Sequence, residues 1–517
     1  MSTTSAISID HALTKAWAQQ ANDEDTYSND GTPLTDNDLD GVEDQPRQND
    51  VQFSTTINGT SDSGELTAED DFAESGDLLT ADRQGGADLS NASSDDGNPR
   101  ARPTEQVGVI QPDGSVSPLA NQPAAPVQGG GGVRDESPYD ALGIRVGTFT
   151  LFPVLTQSVG STSNAASSSD GASAIFSQTE TRLTAQSDWA LHQLRGEIGG
   201  SYQTYFSGDV DDLSTFDASL ELRMDISSDL TGRIGGSYDL TTEGAESDNL
   251  SVPAPLFVTE DPNLHQLSGY GEIEKQAGRV SGLLRGTITH ASYEDAALSD
   301  GSSLSQDDRN NTLLELEGRI GYEVSETFTP FVEASVGSRI HEREVDRNGN
   351  LRDSMNYALR GGVAFDRGEK LNGELSAGYS SERFEDAAID DLNGFTVDAS
   401  INWSPQRLTT FTTTAQTEFT GSTNANEAGS VTYALTVGVV HDLRPNLSLS
   451  ASVLASLRDY DGSGRRDEVL QAQIGAEWRL NRHAAVVATV GHEIQDSTDA
   501  SSSFDATTAR LGLRLQR

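Results

Sequence analysis

The chain has 517 residues, of which 81 are acidic and 34 are basic, and its formal net charge is −47. A surface of this charge repels polyanions, so the composition excludes nucleic acid as a partner. The absence of cysteine excludes a disulfide framework and thiolate metal sites. No apolar run reaches the roughly 20 residues that a membrane helix needs, which leaves strand-built membrane proteins open.

Residues 1–20 contain a pattern that resembles a secretory cleavage site, with Ala16 and Ala18 on either side of Trp17. Upstream, Asp10 and His11 interrupt the apolar core of about 7 to 15 residues that an export signal requires. Two interpretations stay open: a remnant of an export signal, or a tail with a chance match.

Residues 21–138 are rich in Asp, Ser, Asn, Gly, Gln and Pro, and acidic residues far outnumber basic ones. Such a segment cannot bury enough apolar surface to offset the entropy of ordering, so we predict a disordered acidic arm. Within it, Asp36, Asp38 and Asp40 have the spacing of a calcium loop, but Arg47 stands where a glutamate ligand is needed. We therefore assign no metal site and no cofactor.

Residues 141–517 repeat one pattern, which is clearest in the stretch STFDASLELRMDI from Ser214 to Ile226. From Phe216 on, every second residue is apolar and the residues between them are polar or charged. Successive side chains of an extended strand point to opposite faces, so this alternation predicts an amphipathic strand. The same pattern recurs in YALTVGVV, NLSLSASVLASL and VLQAQIGAEWRL, which predicts an antiparallel meander.

Short joins, such as Trp189-Ala190 and Asn481-Arg482, alternate with longer polar loops, such as residues 241–262. The count is about 18 strands (16 to 18), with both ends of the meander on the side of the short joins. We predict an all-β fold: an antiparallel up-and-down transmembrane β-barrel, preceded by the acidic arm. Closing the sheet satisfies every backbone group without an exposed edge.

Charges in the middle of strands favour a barrel over a soluble sandwich, because a wide barrel places them in a watery interior. The apolar faces are also modest, without the dense Ile and Phe packing of a two-sheet core. We predict that these residues line a pore: Arg195, Glu197, Asp217, Glu221, Arg223, Arg233, Glu315, Glu317, Arg319, Arg360, Glu374, Asp398, Glu477 and Arg479.

Aromatic residues lie near both ends of the predicted strands. Trp189, Trp403 and Trp478 fall close to short joins, and a second group falls where strands enter long loops: Tyr205, Phe206, Tyr293, Phe384, Phe419 and Tyr460. Amphipathic rings favour both headgroup levels of a bilayer, so we predict two aromatic belts, with the three tryptophans at one membrane interface.

Three stretches carry a family resemblance: LGIRVGTFTLFPVLTQSVG, DWALHQLRGEIGGSYQTYF and the run from GELSAGYSSERF to TTTAQTEF. They resemble the beta-barrel porin 2 family of proteobacterial outer-membrane proteins over about residues 140–517. The resemblance implies an outer-membrane barrel of a Gram-negative bacterium, inserted among outer-membrane lipids by the barrel assembly machinery. One departure is the final Arg517, because such barrels usually end in an aromatic residue.

A barrel of this size leaves an aqueous channel, so passive diffusion of small hydrophilic solutes is the leading hypothesis.

We predict that the longest loop folds inward and narrows the channel. The residues of this constriction are Val252, Leu256, Phe257 and Val258, and the alternative is that the loop stays on the surface. Two other functions stay open: an exit conduit for a secreted polysaccharide, which needs aromatic rows inside, and a surface-exposed adhesive protein without a channel. Homo-oligomer formation also stays open.

We expect no enzymatic activity. The eight histidines are scattered, and the sequence has no Ser-His-Asp spacing, no HExxH motif and no phosphate-binding loop.

Overall fold

The structure is a computed structural model that describes residues 138–517, apart from 170, 208–209, 244–249, 251–254 and 425–426. It also describes the backbone of two short strands, at 109–110 and 116–117. The predicted export-signal remnant, nearly all of the predicted acidic arm and Val252 lie outside these residues.

Two units are distinguished in the chain. The described part of one is a ribbon in which β1 (Val109–Ile110) pairs antiparallel with β2 (Val116–Ser117). The other contains the following strands: β3 (Ile144–Val146), β4 (Phe149–Thr162), β5 (Ala174–Ser187), β6 (His192–Tyr205), β7 (Leu213–Ser227), β8 (Leu230–Thr242), β9 (Val258–Glu260), β10 (Asn263–Ala277), β11 (Val280–Tyr293), β12 (Ala296–Leu298), β13 (Ser303–Leu304), β14 (Asn311–Tyr322), β15 (Phe328–His341), β16 (Ser354–Asp366), β17 (Leu371–Phe384), β18 (Leu392–Gln406), β19 (Thr409–Gly421), β20 (Gly429–Arg444), β21 (Leu447–Asp461), β22 (Arg466–Asn481), β23 (Ala484–Ser497) and β24 (Phe504–Gln516).

The long strands form a closed antiparallel barrel of 18 strands. Neighbours in sequence pair with each other, and β24 closes the cylinder by pairing with β4, from Thr508↔Thr162 to Gln516↔Val154. The short strand β3 pairs with the first residues of β4 and lies beyond the end of β24. The predicted fold class is therefore confirmed, with a strand count at the upper end of the predicted range.

The two faces of the wall match the alternation in the sequence. Leu220, Leu435 and Ile474 are 56%, 44% and 62% exposed, whereas Arg223 on the opposite face of β7 is buried. In a two-layer sandwich these three apolar residues would be sealed against one another. Their exposure excludes the sandwich and places the apolar rows on the outside of the cylinder.

The short joins allow direct antiparallel return of the chain. Between β10 and β11 the turn contains Gly278, whose φ of 63° lies in the region that glycine adopts without steric cost. The long loops at the opposite end form a rim. There β9, β12 and β13 build a separate three-stranded sheet that the alternation did not predict.

No helix among the described residues is long and apolar enough to span a bilayer.

The segment before β3 contacts the end of the barrel where the short turns lie. The Nε of Arg482 donates to the carbonyl of Pro138 at 2.9 Å, and Asp140 lies 3.8 Å from the guanidinium of Arg479. The described chain therefore enters the barrel beside the last hairpin.

Candidate functional site: the inner wall of the barrel

The residues predicted to line a pore share one face of the barrel wall. All fourteen lie on the side of their strands opposite the exposed apolar rows, and each is buried or half-buried. The strand registers place Glu221 opposite Arg195 and Arg233 opposite Glu272, so opposite charges meet across neighbouring strands. Whether this face lines an open pore stays a prediction.

The densest group of charges lies on strands β14 to β18. Arg319 reaches Glu333 at 2.7 Å and Glu374 at 2.9 Å. Arg360 contacts Glu333, lies 3.0 Å from Asp398 and lies 3.6 Å from Glu317. We call these six residues the acidic cluster: Glu317, Arg319, Glu333, Arg360, Glu374 and Asp398. Two guanidinium groups face four carboxylates, so the cluster has an excess of acidic groups.

Other ion pairs continue around the wall. Arg233 lies 2.6 Å from Glu272, and Arg285 lies 3.6 Å from the same carboxylate. Near the closure of the barrel, Glu477 binds both Arg479 and Arg514. Each of the ion pairs named above joins residues of one strand or of strands no more than three apart. These charges are therefore bridged along the wall and not across the diameter.

Aromatic rings also lie on the inner face, and arginines cover them. The guanidinium carbon of Arg285 lies 4.0 Å from the ring centre of Tyr270, and that of Arg319 lies 4.2 Å from the ring centre of Phe331. At the rim, Arg309 covers Tyr293 at 3.8 Å. Such contacts are favourable cation–π pairs that occupy one ring face.

Several inner-wall charges were not among the predicted residues. Glu333 and Arg339 lie on β15, where the alternation FVEASVGSRI would have assigned them to the inside. Arg182 on β5 gave a weaker signal, because Thr179 and Thr181, the two outward residues that precede it, are polar and only Leu183 after it is apolar. An alternation between two polar rows cannot be detected from the sequence.

The predicted constriction loop is only partly described. Phe257 is 62% exposed, Leu256 is half-buried, and Val258 begins β9 of the rim sheet. The backbone N–H of Ser299 donates to the carbonyl of Phe257, which attaches this segment to the next long loop. Inward folding of the loop stays a prediction.

Two other rim loops are joined through Arg352, which forms a buried ion pair with Asp346 of its own loop. Their side chains are 0% and 3% exposed, and Arg352 Nε lies 2.8 Å from Asp346 Oδ2. Arg352 also donates to the backbone carbonyls of Glu427 and Asn424 at 2.7 and 2.8 Å. We call these four residues the rim clasp.

Charge and hydrogen bonding set the protonation of the rim clasp. Burial by itself raises the pKa of Asp346. The hydrogen bonds from the N–H of Asn350, from Arg352 and from the N–H of Asn348 outweigh it, so the pKa lies below its ordinary value. The pKa of Asp308 is lowered in the same way, with the hydrogen bonds from Arg347 outweighing burial.

The tryptophans predicted at a membrane interface lie near short turns. Trp403 and Trp478 are exposed on the outer face, and Trp189 is half-buried and donates to the hydroxyl of Thr148 at 3.1 Å. Their position in a bilayer stays a prediction.

The predicted belt at the other end needs a correction. Phe419 and Tyr460 are 2% and 9% exposed, so they do not contribute to an outward belt. Phe419 packs in an apolar cluster and Tyr460 points to the inner face, which strand position alone did not reveal. The exposed aromatic residues near this end include Tyr202, Tyr379 and Phe395.

Within the described residues, no group of three or more His, Asp or Glu side chains has an arrangement that could hold a metal ion.

The chain matches one known protein family and is similar to several solved structures. The sequence profile of the family described as "Putative beta-barrel porin 2" matches residues 137–517. No curated protein matches the sequence. Among solved structures, the chain is similar to the outer membrane protein opdK from Pseudomonas aeruginosa, with 12% identity, a TM-score of 0.37, and coverage of 71% of this chain and 99% of that one.

Two further solved structures show comparable similarity. OccK2 (OpdF) from Pseudomonas aeruginosa has 13% identity, a TM-score of 0.37, and coverage of 71% of this chain and 98% of that one. The copper transporter OprC has 8% identity, a TM-score of 0.40, and coverage of 72% and 81%.

Proposed function

This chain belongs to the Putative beta-barrel porin 2 family, and on that premise we propose that its barrel forms a water-filled channel for passive diffusion of small hydrophilic solutes. The proposed location is the outer membrane of a Gram-negative bacterium, where the exposed apolar rows contact lipid. The proposed partners are outer-membrane lipids, the barrel assembly machinery and the solutes themselves.

The observation that carries the proposal is the paired, charged inner wall. Barrels of 16 to 18 strands enclose an aqueous channel. Arg319 binds Glu374 on a strand three positions away, and Arg360 binds Asp398 two positions away. Because these ion pairs join nearby strands, they hold the charged side chains against the barrel wall. The axis of the barrel is thereby left to passing solutes.

The acid excess of the inner wall supports a mild preference for cations. In the acidic cluster Arg319 and Arg360 face four carboxylates, so a net negative potential extends into the interior. Because salt screens this potential, the preference is expected to weaken as ionic strength rises.

The covered aromatic rings favour small solutes over a polysaccharide. A sugar chain would need open ring faces on which to stack, but Tyr270 and Phe331 each hold an arginine against one face. An adhesive protein without a channel is not favoured either, because it would leave the outer apolar rows in water.

The test is conductance of refolded protein in a planar bilayer, with swelling of liposomes in sugars of increasing size. Stepwise, ohmic conductance and a sharp size limit are expected. Folded, protease-resistant barrels that give neither conductance nor swelling would overturn the proposal. Passage of long sugar chains would favour the conduit.

A further inference from the structure

One seam of the barrel wall is paired along only part of its length. Between β18 and β19 the register runs from the turn up to Ala399↔Ala415 and ends there. Both strands continue beyond that point, since β18 pairs with β17 up to Leu392 and β19 pairs with β20 up to Gly421. The other hairpin seams with short turns, such as β16–β17 from Ser354↔Phe384, are paired along nearly their whole length.

Side chains fill the place of the missing backbone ladder. The backbone N–H of Val397 donates to the hydroxyl of Thr417 at 2.9 Å, and this hydroxyl donates to the carbonyl of Val397 at 3.2 Å. Thr417 is buried although it lies on the outward row of its strand. One hydroxyl therefore satisfies two backbone groups that would otherwise be unpaired in hydrocarbon.

Towards the rim, the seam is closed by apolar side chains. Leu392 of β18 packs with Phe419, Ala428 and Val431 in a buried cluster, which Phe384, Ile389 and Tyr433 border. The rings of Phe419 and Tyr433 extend over the backbone of Gly394: a Cβ atom at Gly394 would lie 3.6 Å from Phe419 Cζ and 3.2 Å from Tyr433 Oη. The wall here consists of packed side chains from β18, β19 and β20.

The outer and inner faces of the seam have different surroundings. On the outside, Phe395 is 72% exposed. On the inside, Thr396 is 1% exposed and its hydroxyl has no hydrogen-bond partner among the described residues, and Asp398 follows on the same row. A path through the seam therefore joins a polar interior, an apolar slot and the outer apolar surface.

Opening this seam costs less than opening a paired one. Separating two paired strands in hydrocarbon leaves a row of N–H and C=O groups without hydrogen-bond partners, which is energetically unfavourable. Here only the bonds of Thr417 and the contacts of Phe419 and Leu392 need to be displaced. An incoming hydrocarbon chain replaces those apolar contacts.

We propose that the seam between β18 and β19 is a lateral portal through which an amphiphile with a single hydrocarbon chain passes between the barrel interior and the surrounding lipid. The chain occupies the slot of Leu392, Phe419 and Val431, and the polar head remains on the side of Thr396. A hydrophilic solute is excluded by the apolar lining. The portal adds a route through the wall to the axial channel, so its test is separable from that of the channel.

The experiment uses the natural absence of cysteine. The double variant Val397→Cys/Thr417→Cys is placed in vesicles that contain a lysophospholipid with a photoactivatable group in its chain. Cross-links to the peptides of β18 and β19 are quantified by mass spectrometry, with and without reductant. The matched control is Leu435→Cys/Ala455→Cys, whose residues face each other across the paired seam of β20 and β21.

The expected result is labelling of the slot residues in the reduced protein and at least a fivefold loss when the disulfide forms, with full recovery on reduction. The control disulfide leaves this labelling unchanged. Axial conductance is the same in both redox states, which keeps the portal separate from the channel.

A second variant gives an independent readout. Phe419→Ala removes the ring that closes the slot, so labelling of the slot residues is expected to rise severalfold. Labelling that is no greater here than at the β20–β21 seam, or that ignores both the disulfide and Phe419→Ala, would overturn the proposal.

Discussion

Arg319 on β14 binds the carboxylate of Glu374 at 2.9 Å, although β17, which carries Glu374, is three positions away around the barrel. Arg319 also holds Glu333 at 2.7 Å, so it bridges two acidic side chains on the inner wall. Arg319 is therefore the arginine of the acidic cluster that neutralises Glu374, and it shares Glu333 with Arg360.

Replacing this counter-charge should change ion selectivity. In Arg319→Gln, Glu374 keeps no arginine partner within the acidic cluster, so the cation-to-anion permeability ratio is expected to rise, roughly twofold. Reversal potentials across a KCl gradient measure the ratio. Arg466→Gln, on the outer face of β22, is the matched control and should leave it unchanged. A shift towards anions would contradict this role for the cluster.

A charge on the outer face should destabilise the folded barrel in lipid. Leu220 lies at the centre of β7 and is exposed, so Leu220→Arg is expected to cost about 2–4 kcal/mol of folding free energy. The measurement is reversible unfolding in lipid vesicles with denaturant. Val345→Arg, in an exposed rim loop, should cost less than about 0.5 kcal/mol. Equal effects would mean that Leu220 does not face lipid.

The rim clasp should be stable from neutral pH down to acid. The pKa of Asp346 lies below its ordinary value of 3.8, so its contribution is present above about pH 3.8 and is lost only as the pH falls through the lower folded value. Hydrogen exchange of residues 343–353, corrected for intrinsic rates, should be flat from pH 7 to pH 5 and should accelerate below about pH 3.8.

The same loops provide a control for this pH dependence. Asp346→Asn removes the charge that Arg352 binds, which leaves a buried guanidinium without its counter-ion at a local cost of about 3 kcal/mol. Exchange in this variant should be fast at every pH. Protection in Asp346→Asn that equals the wild type would show that backbone contacts alone hold the loops.

The tryptophans should lie at headgroup depth. Trp403 and Trp478 are exposed on the outer face next to short turns, and indole rings favour the interface. In variants that retain one of them, lipids with a quencher near the headgroup should quench fluorescence more strongly than lipids with a quencher deep in the chain. The reverse order would place the rings within the hydrocarbon core.

The sequence was sufficient to predict the barrel because each strand encodes its own orientation. In β7, Leu220 and Glu221 are neighbours with opposite surroundings, and this local contrast repeats along the chain. Side-chain position on the inner or outer row follows directly from such alternation. Strand β5 escaped the rule in part, since Thr179 and Thr181 are polar on its outer row.

Contacts between distant residues could not be predicted in this way. Alternation assigns Arg319 to the inner wall, but its pairing with Glu374 depends on side-chain reach across three strands. The incomplete seam beside Thr417 is also invisible, because the side-chain pattern of a single strand does not show which of its backbone groups are paired. The rim sheet of β9, β12 and β13 arises from contacts between two loops, which no local pattern encodes.

The central claim is that neighbouring residues of one strand face water and lipid in turn, around an open interior. Single-channel recording of Ser219→Cys and Leu220→Cys tests it most directly, since the chain has no other cysteine. A charged, water-soluble thiol reagent should change the conductance of Ser219→Cys in discrete steps and leave Leu220→Cys unchanged. Modification of Leu220→Cys alone, or no channel in either folded variant, would contradict the account.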